Sequence, residues 1–167
     1  MTNPLLQAWT TPFQIAPFAA IKDEHFAPAL VEALHAHMAE IEAIADSPDA
    51  PTFENTIEAM EGAGEALDKV LSVFYSLAGA DSTPKRQELQ RDFSPKLSAH
   101  SSAISANKAL FKRIETLWNA RDTLDLSPEQ ARVLMLTHRG FVRSGAALTG
   151  EQADLMKEAK SRLATLG

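Results

Sequence analysis

Apolar residues recur at spacings of three and four between positions 51 and 80, and this helical period constrains the fold more than any other feature of the chain. The recurring positions are Phe53, Ile57, Met60, Gly64, Leu67, Leu71 and Phe74. Thr52 precedes them and is a suitable N-cap, because its hydroxyl can accept a backbone N–H of the first turn. The pattern predicts one long helix over residues 51–80.

The two sides of this predicted helix differ in chemistry. At about 100° per residue, five acidic side chains fall within an arc of roughly 80°. We call them the acidic strip: Glu54, Glu58, Glu61, Glu65 and Asp68. The opposite arc carries Ala59, Gly62, Ala63 and Ala66, so Gly62-Ala63-Gly64 is interpreted as a close packing contact and not as a phosphate loop. The acidic strip is typical of a solvated face.

The remaining segments are also predicted to be helical. A first helix should begin near Asp23, which we expect to cap it, and end at residues 46–49. A second should follow Thr83 and Pro84, with Pro95 causing a kink or break near Ser94. Its pattern continues to about Asn119, with an interruption near Asn107. The predicted capping boxes at Ser127–Gln130 and Thr149–Gln152 open two more helices, one ending near Ala147 and one reaching the chain end.

No stretch alternates apolar and polar residues as a half-buried strand would. The predicted fold is therefore all-α, with five or six helices in an antiparallel, bundle-like array. Residues 1–22 contain Pro4, Pro12 and Pro17, which oppose a helix. We expect an extended arm over residues 1–22 that packs on one helical domain over residues 23–167. The arm should bury its apolar side chains, which are Trp9, Phe13, Ile15, Phe18 and Ile21.

The net charge of −6 argues against nucleic acid as a partner, because phosphate contacts need clustered Lys and Arg. The charge is uneven: residues 23–81 carry −12, and residues 82–121 carry +5. Attraction between neighbouring helices explains this, and a charged surface that faces a partner is the alternative. No apolar run predicts a membrane span, no signal peptide is recognised, and the chain has no cysteine. We expect a cytoplasmic location.

A zinc peptidase motif, H-E-x-x-H, would place two imidazoles and a glutamate on one helical face. None of the five histidines begins it: His25, His35, His37, His100 and His138. His35 and His37 lie about 200° apart around a helix and cannot bind one ion together. His37 and Glu40 have usable spacing but form only a pair. His37 and His100 fall on apolar stripes and are interpreted as hydrogen-bonded histidines at the core edge.

Other catalytic templates are not matched either. Ser144 lies in V-R-S-G-A and not in the G-x-S-x-G elbow of a hydrolase. Arg132, Arg139 and Arg143 share a helical face and could hold an anion or carboxylate, although a solvated face with weak ion pairs is the ordinary interpretation. From its residues alone, the chain is assigned no catalytic, cofactor-binding or metal-binding residue.

Six segments together resemble the N-terminal region of the thimet-oligopeptidase-like zinc metallopeptidases, across essentially all 167 residues. Within that family the resemblance is strongest to the bacterial peptidyl-dipeptidases, with oligopeptidase A more distant. The segments are NPLLQAWTTPF (3–13), IKDEHFAPAL (21–30), PTFENTIEAME (51–61), FSPKLSAHSSAI (93–104), ALFKRI (109–114) and FVRSGAAL (141–148).

The resemblance implies a longer natural chain, since the helix that ends at Gly167 looks cut. It implies a nearly all-helical fold with two lobes around a substrate channel, and zinc bound in a catalytic domain downstream. Short peptides would be the substrates, losing C-terminal dipeptides, although endopeptidase activity stays open. The 167 residues would be inactive and metal-free, would wall part of the channel, and would self-associate when isolated. The acidic strip would then be solvated, near the channel or against the missing lobe. The alternative is a stand-alone helical interaction module without catalysis.

Overall fold

The structure is a computed structural model, and it describes residues 3–152, 155–156, 158–159 and 162. The all-α prediction is confirmed: residues 26–143 contain six α-helices, and none of the described residues lies in a strand. The helices are α1 (Phe26–Ala45), α2 (Ala59–Gly62), α3 (Glu65–Ala80), α4 (Pro84–Ala106), α5 (Lys108–Ala120) and α6 (Pro128–Arg143). Among the described residues, no helix combines the length and apolar character needed to cross a membrane.

The chain forms two compact units, each assembled from two separate stretches of sequence. Unit 1 comprises Met1–Glu42 and Gly62–Ser101, and unit 2 comprises Ala43–Glu61 and Ser102–Gly167. The division into an arm and a single helical domain stays a prediction.

Unit 1 has a core built from α1, α3 and α4. Phe74 lies at its centre, with its ring centroid 5.2 Å from that of Phe26 and 4.7 Å from that of Phe93. Around these rings are packed the buried side chains of Leu5, Ala29, Leu30, Ala33, Leu67, Val70, Val73 and Leu89. The helical period of the sequence produces this core, because residues three and four apart face the same neighbour.

Unit 2 has its core where α5 packs against α6 and the segment Phe53–Glu58. That segment is a single π-helical turn, in which the N–H of Ala59 donates to the carbonyl of Glu54 five residues earlier. The core side chains are Phe53, Ile57, Leu110, Phe111, Ile114, Leu117, Leu134 and Phe141.

The predicted single helix over residues 51–80 is wrong, although its cap is confirmed. Thr52 Oγ1 accepts the N–H of Asn55 at 3.1 Å. The helix is broken at Ala63 and Gly64, where Gly64 has a left-handed φ of 87°. The N–H of Gly64 donates to the Glu40 carboxylate at 2.7 Å, so it leaves the helical hydrogen-bond ladder. α3 then begins anew at Glu65.

Two other predicted helix boundaries are confirmed, and two are wrong. The cap at Thr83 is confirmed, since its hydroxyl accepts the N–H of Arg86 at 3.2 Å. The interruption at Asn107 is also confirmed, because Asn107 caps α5 with its side-chain oxygen. The expected break near Ser94 is absent, since α4 is continuous through Pro95. Asp23 does not cap α1 either: it lies in a 3₁₀ turn, Asp23–His25, and its carboxylate accepts from Arg86 Nε at 2.8 Å.

The helix predicted to reach Ala147 ends four residues earlier, at Arg143. Gly145 has a φ of 86°, and its N–H donates to the carbonyl of Val142 while the N–H of Ala146 donates to that of Phe141. This is a Schellman motif, which ends a helix at a left-handed glycine. The last predicted helix lies partly outside the described residues; residues 150–152, 155–156, 158–159 and 162 are helical.

The N-terminal arm consists of turns joined by extended residues. Leu5 is buried, and Trp9 and Ile21 pack against the unit 1 core. Burial of the other three apolar side chains was predicted wrongly, because Phe13, Ile15 and Phe18 are exposed.

Candidate functional site

An open groove of about 400 Å³ lies in unit 2. It lies beside the π-helical turn, α2 and the first turns of α6. Its lining residues are Phe53, Glu58, Glu61, Glu129, Gln130 and Val133. Three carboxylates therefore face a partly apolar floor.

Local capping motifs position the groove residues. The predicted capping box of α6 is confirmed: Ser127 Oγ accepts the Gln130 N–H at 3.2 Å, and Gln130 Oε1 accepts the Ser127 N–H at 2.9 Å. Pro128 occupies the first helical position. This geometry holds Glu129 in the first turn of α6, at the rim of the groove.

The acidic strip is only partly retained by this groove. Glu58 and Glu61 line it, whereas Glu65 and Asp68 lie in α3 beyond the break at Gly64. Glu129, which belongs to α6, lines the groove together with these two carboxylates. No ion pair links any of the three to another described residue. Chemically, the groove can accept hydrogen bonds from a cationic group. Its carboxylates are exposed, and exposed pairs contribute under about 1 kcal/mol each.

His37 and His100 form a hydrogen-bonded pair in unit 1. Nδ1 of His37 lies 3.0 Å from Nε2 of His100, and the ring centroids are 5.0 Å apart. Both side chains are half-buried. Burial lowers the pKa of His100, and the neighbouring His37 lowers that pKa further. The interpretation of these residues as hydrogen-bonded histidines at the core edge is confirmed.

His37 and Glu40, whose spacing would suit a metal ion, both contact Gly64 in the structure. The Glu40 carboxylate accepts the N–H of Gly64, and a Cβ on Gly64 would lie 3.2 Å from ring atoms of His37. Gly64 is thus a close packing contact, as its sequence context predicted. Within the part of the chain that the structure describes, no three His, Asp or Glu side chains converge as metal ligands.

The other histidines and the arginine face have ordinary surroundings. His138 stacks on Trp118, with ring centroids 4.8 Å apart, and burial lowers its pKa. His25 Nδ1 accepts the N–H of Lys22. The arginine face is exposed at Arg132, Arg139 and Arg143, and Arg132 lies 4.0 Å from the sulfur of Met135.

Arg113 is the polar residue that sequence reasoning missed. Its side chain is buried, and its guanidinium donates to the carbonyls of Ser47 and Asp49 at 3.1 and 2.9 Å. It also donates to Asn55 Oδ1 at 2.9 Å, and that amide donates to the carbonyl of Ala50. A sequence signal was available, because Arg113 lies three residues after Leu110 and four before Leu117, on the same apolar face of α5.

These contacts join the segments that carry the resemblance. Arg113 of ALFKRI binds Asn55 of PTFENTIEAME. Asn3 of the arm donates to the carbonyl of His25 at 2.8 Å. Lys108, directly before ALFKRI, donates to the carbonyls of Ala146 and Leu148 in FVRSGAAL. Within each unit, these contacts therefore link segments that are distant in sequence.

The chain is similar over nearly its whole length to curated bacterial peptidases. No family model matches it. It is 39% identical to dipeptidyl carboxypeptidase of Salmonella typhimurium over 165 residues, which is 99% of this chain and 24% of the relative. The identity to dipeptidyl carboxypeptidase of Escherichia coli is 36% over 164 residues, or 98% of this chain and 24% of the relative.

Oligopeptidase A of Escherichia coli is more distant, with 28% identity over 167 residues, all of this chain and 24% of the relative. The predicted resemblance is confirmed: the chain is homologous to dipeptidyl carboxypeptidase and oligopeptidase A. It spans about a quarter of the length of these relatives.

Proposed function

We propose that this chain is the N-terminal helical part of a longer zinc-dependent peptidase that removes C-terminal dipeptides from short peptides. One observation carries the proposal. The similarity to dipeptidyl carboxypeptidase covers 99% of this chain but only 24% of that relative. The name of that relative describes the activity, which we extend to the full-length protein.

The role of these 167 residues in the proposal is structural. We assign the zinc ion, its ligands and the glutamate base to the part of the polypeptide beyond Gly167, since no histidine of this chain begins H-E-x-x-H. When bound there, zinc would activate water for attack on the peptide bond. The helices described above would form part of the wall of the substrate channel. The cytoplasmic location stays a prediction.

The genomic sequence beyond codon 167 tests the proposal directly. We expect an open reading frame that continues for several hundred codons and contains H-E-x-x-H. A stop codon at position 168, or a long continuation without that motif, would contradict the proposal. The stand-alone module predicts instead a native protein of 18.1 kDa in cell extract. An immunoblot that shows only a chain several times heavier excludes that alternative.

Activity measurements test whether catalysis and zinc binding belong to the part of the protein beyond Gly167. The full-length protein should release dipeptides from a short peptide substrate and lose that activity when a chelator removes the zinc. The 167-residue chain alone should release none and should hold no stoichiometric zinc. One tightly bound zinc per isolated chain would contradict the assignment of the metal site to the downstream part.

A further inference from the structure

The N-terminal arm holds three large apolar side chains away from unit 1. Phe13 is 95% exposed, Ile15 is 55% exposed and Phe18 is 47% exposed. They fall within six consecutive residues, and we call them the arm patch. Clustered apolar groups on a surface mark an interaction site more often than single ones do.

Both ends of the patch are anchored to unit 1. On one side, Trp9 donates from its indole N–H to the carbonyl of Pro4 at 2.9 Å, and the Lys69 ammonium lies 4.1 Å from the centroid of the Trp9 ring. On the other side, Ile21 packs against the unit 1 core. The patch is therefore not part of a free tail.

The segment between the anchors has a defined shape. The N–H of Gln14 donates to the carbonyl of Thr11 at 2.9 Å, and the Thr11 hydroxyl donates to the carbonyl of Ile15. Phe13 and Gln14 have φ values of 56° and 54°, a left-handed conformation that is strained for residues other than glycine. This strained turn points Phe13 outward, where within the described chain it gains no burial.

We propose that the arm patch docks onto a part of the same polypeptide that lies beyond Gly167. This inference rests on the proposed function, which supplies the missing chain. The relatives are about four times as long as the part matched here, so such a protein has ample chain to cover the patch. Docking would bury Phe13 and compensate for the strain of the turn.

The size of the patch favours an intramolecular occupant over a second copy or another protein. Two aromatic rings and one isoleucine bury a few hundred Å², since each aromatic side chain buries about 150–250 Å². Stable complexes between separate chains bury about 1,200 Å² or more. A tethered segment needs less area, because the covalent link gives it a high effective concentration.

Photocrosslinking in the full-length protein tests the proposal. The photoreactive residue p-benzoylphenylalanine replaces Phe13 in the complete gene, and irradiated protein is mapped by peptide mass spectrometry. The same residue at Gln90, exposed and polar on α4, is the matched control. We expect the main Phe13 crosslink to join a peptide beyond residue 167 of the same chain, with a yield at least about tenfold above that from Gln90.

Each other result overturns the docking proposal. These results are a crosslinked product of doubled mass, which indicates a second copy, a crosslink to a different protein, a crosslink within residues 3–152, or no product. The proposed function is judged separately by the intact mass of the native protein. A native chain of 167 residues would end both proposals, whereas a long chain with its crosslink elsewhere would end only the docking.

Substitution provides a second readout in the same full-length protein. Phe13→Ala with Phe18→Ala should expose the arm, so limited proteolysis within residues 1–22 should become at least about tenfold faster. Gln90→Ala is the matched control and should leave that rate unchanged. An unchanged rate in the double variant would contradict docking of the patch.

Discussion

The imidazole rings of His37 and His100 share one hydrogen bond, between Nδ1 and Nε2 at 3.0 Å, although 63 residues separate them in sequence. One nitrogen must donate and the other accept, so the bond is compatible with two neutral rings. Protonation of both rings would place donors on both nitrogens and break it. The pair therefore links the stability of unit 1 to pH.

The free energy of unfolding should fall as the pH drops below 6.5. Burial lowers the pKa of His100 from its ordinary value of 6.5, so the unfolded chain takes up this proton first. The stabilisation is complete above 6.5 and is lost as the pH falls toward the folded pKa. Burial lowers the pKa of His138 too, with the same sign. Urea titrations between about pH 5 and pH 8 measure the effect.

Two glutamine variants test whether the histidine pair, and not the overall charge of the chain, causes the pH dependence of stability. His100→Gln should reduce the loss of stability below pH 6.5. His35→Gln, on an exposed position of α1, should leave the pH dependence as it is. Equal pH profiles for His100→Gln and the unaltered chain would contradict a role for the pair.

Gly64→Ala should destabilise the chain by about 2 kcal/mol. The left-handed φ alone costs an alanine about 1–2 kcal/mol, and its Cβ would crowd the His37 ring at 3.2 Å. Gly62→Ala is the control: its Cβ meets no atom within 4 Å, and it should gain up to about 1 kcal/mol. Urea midpoints that shift alike in both variants would refute this reading of Gly64.

Arg113→Met should cost about 2–4 kcal/mol. The substitution keeps much of the buried volume but leaves the carbonyls of Ser47 and Asp49 and the Asn55 amide oxygen without this donor. Lys112→Met changes an exposed neighbour on the same helix and should shift stability by less than about 0.5 kcal/mol. Chemical denaturation of both variants checks the difference, and a loss below about 1 kcal/mol for Arg113→Met would contradict a stabilising role for the hydrogen bonds of Arg113.

Arg86→Ala should cost about 1–3 kcal/mol, because its mostly buried guanidinium donates to Asp23 and Asp81 at 2.8 Å each. Lys85→Ala removes the exposed pair with Glu88 and should reduce stability less than Arg86→Ala does, because solvent screens that pair. Adding about 1 M salt should remove the effect of the exposed pair and preserve most of the Arg86 effect. Thermal unfolding at low and high salt distinguishes the two variants. Equal losses of stability in Arg86→Ala and Lys85→Ala would contradict a larger role for Arg86.

The sequence by itself determined the helical class and the starts of α4, α5 and α6. Thr52, Thr83 and Ser127 were recognised as caps, and each accepts the predicted hydrogen bond from a residue three positions away. These signals act within one turn of helix, so a single segment of sequence contains both partners. Periodicity likewise revealed which faces are apolar, as in α3 and α5. The glycine at position 145 was a stop signal that the prediction of a helix to Ala147 overlooked, since glycine is common just after the last helical residue.

Only the tertiary structure decided where the long apolar pattern breaks and which polar groups meet. Gly64 leaves the helix because Glu40 accepts its N–H, and Asp23 finds Arg86 instead of a helix cap. The acidic groove needed Glu129 of α6 beside Glu58 and Glu61, which no pattern within residues 51–80 contains. The physical reason is common to all three. Their partners are separated by tens of residues, so their energies depend on packing that local periodicity does not specify.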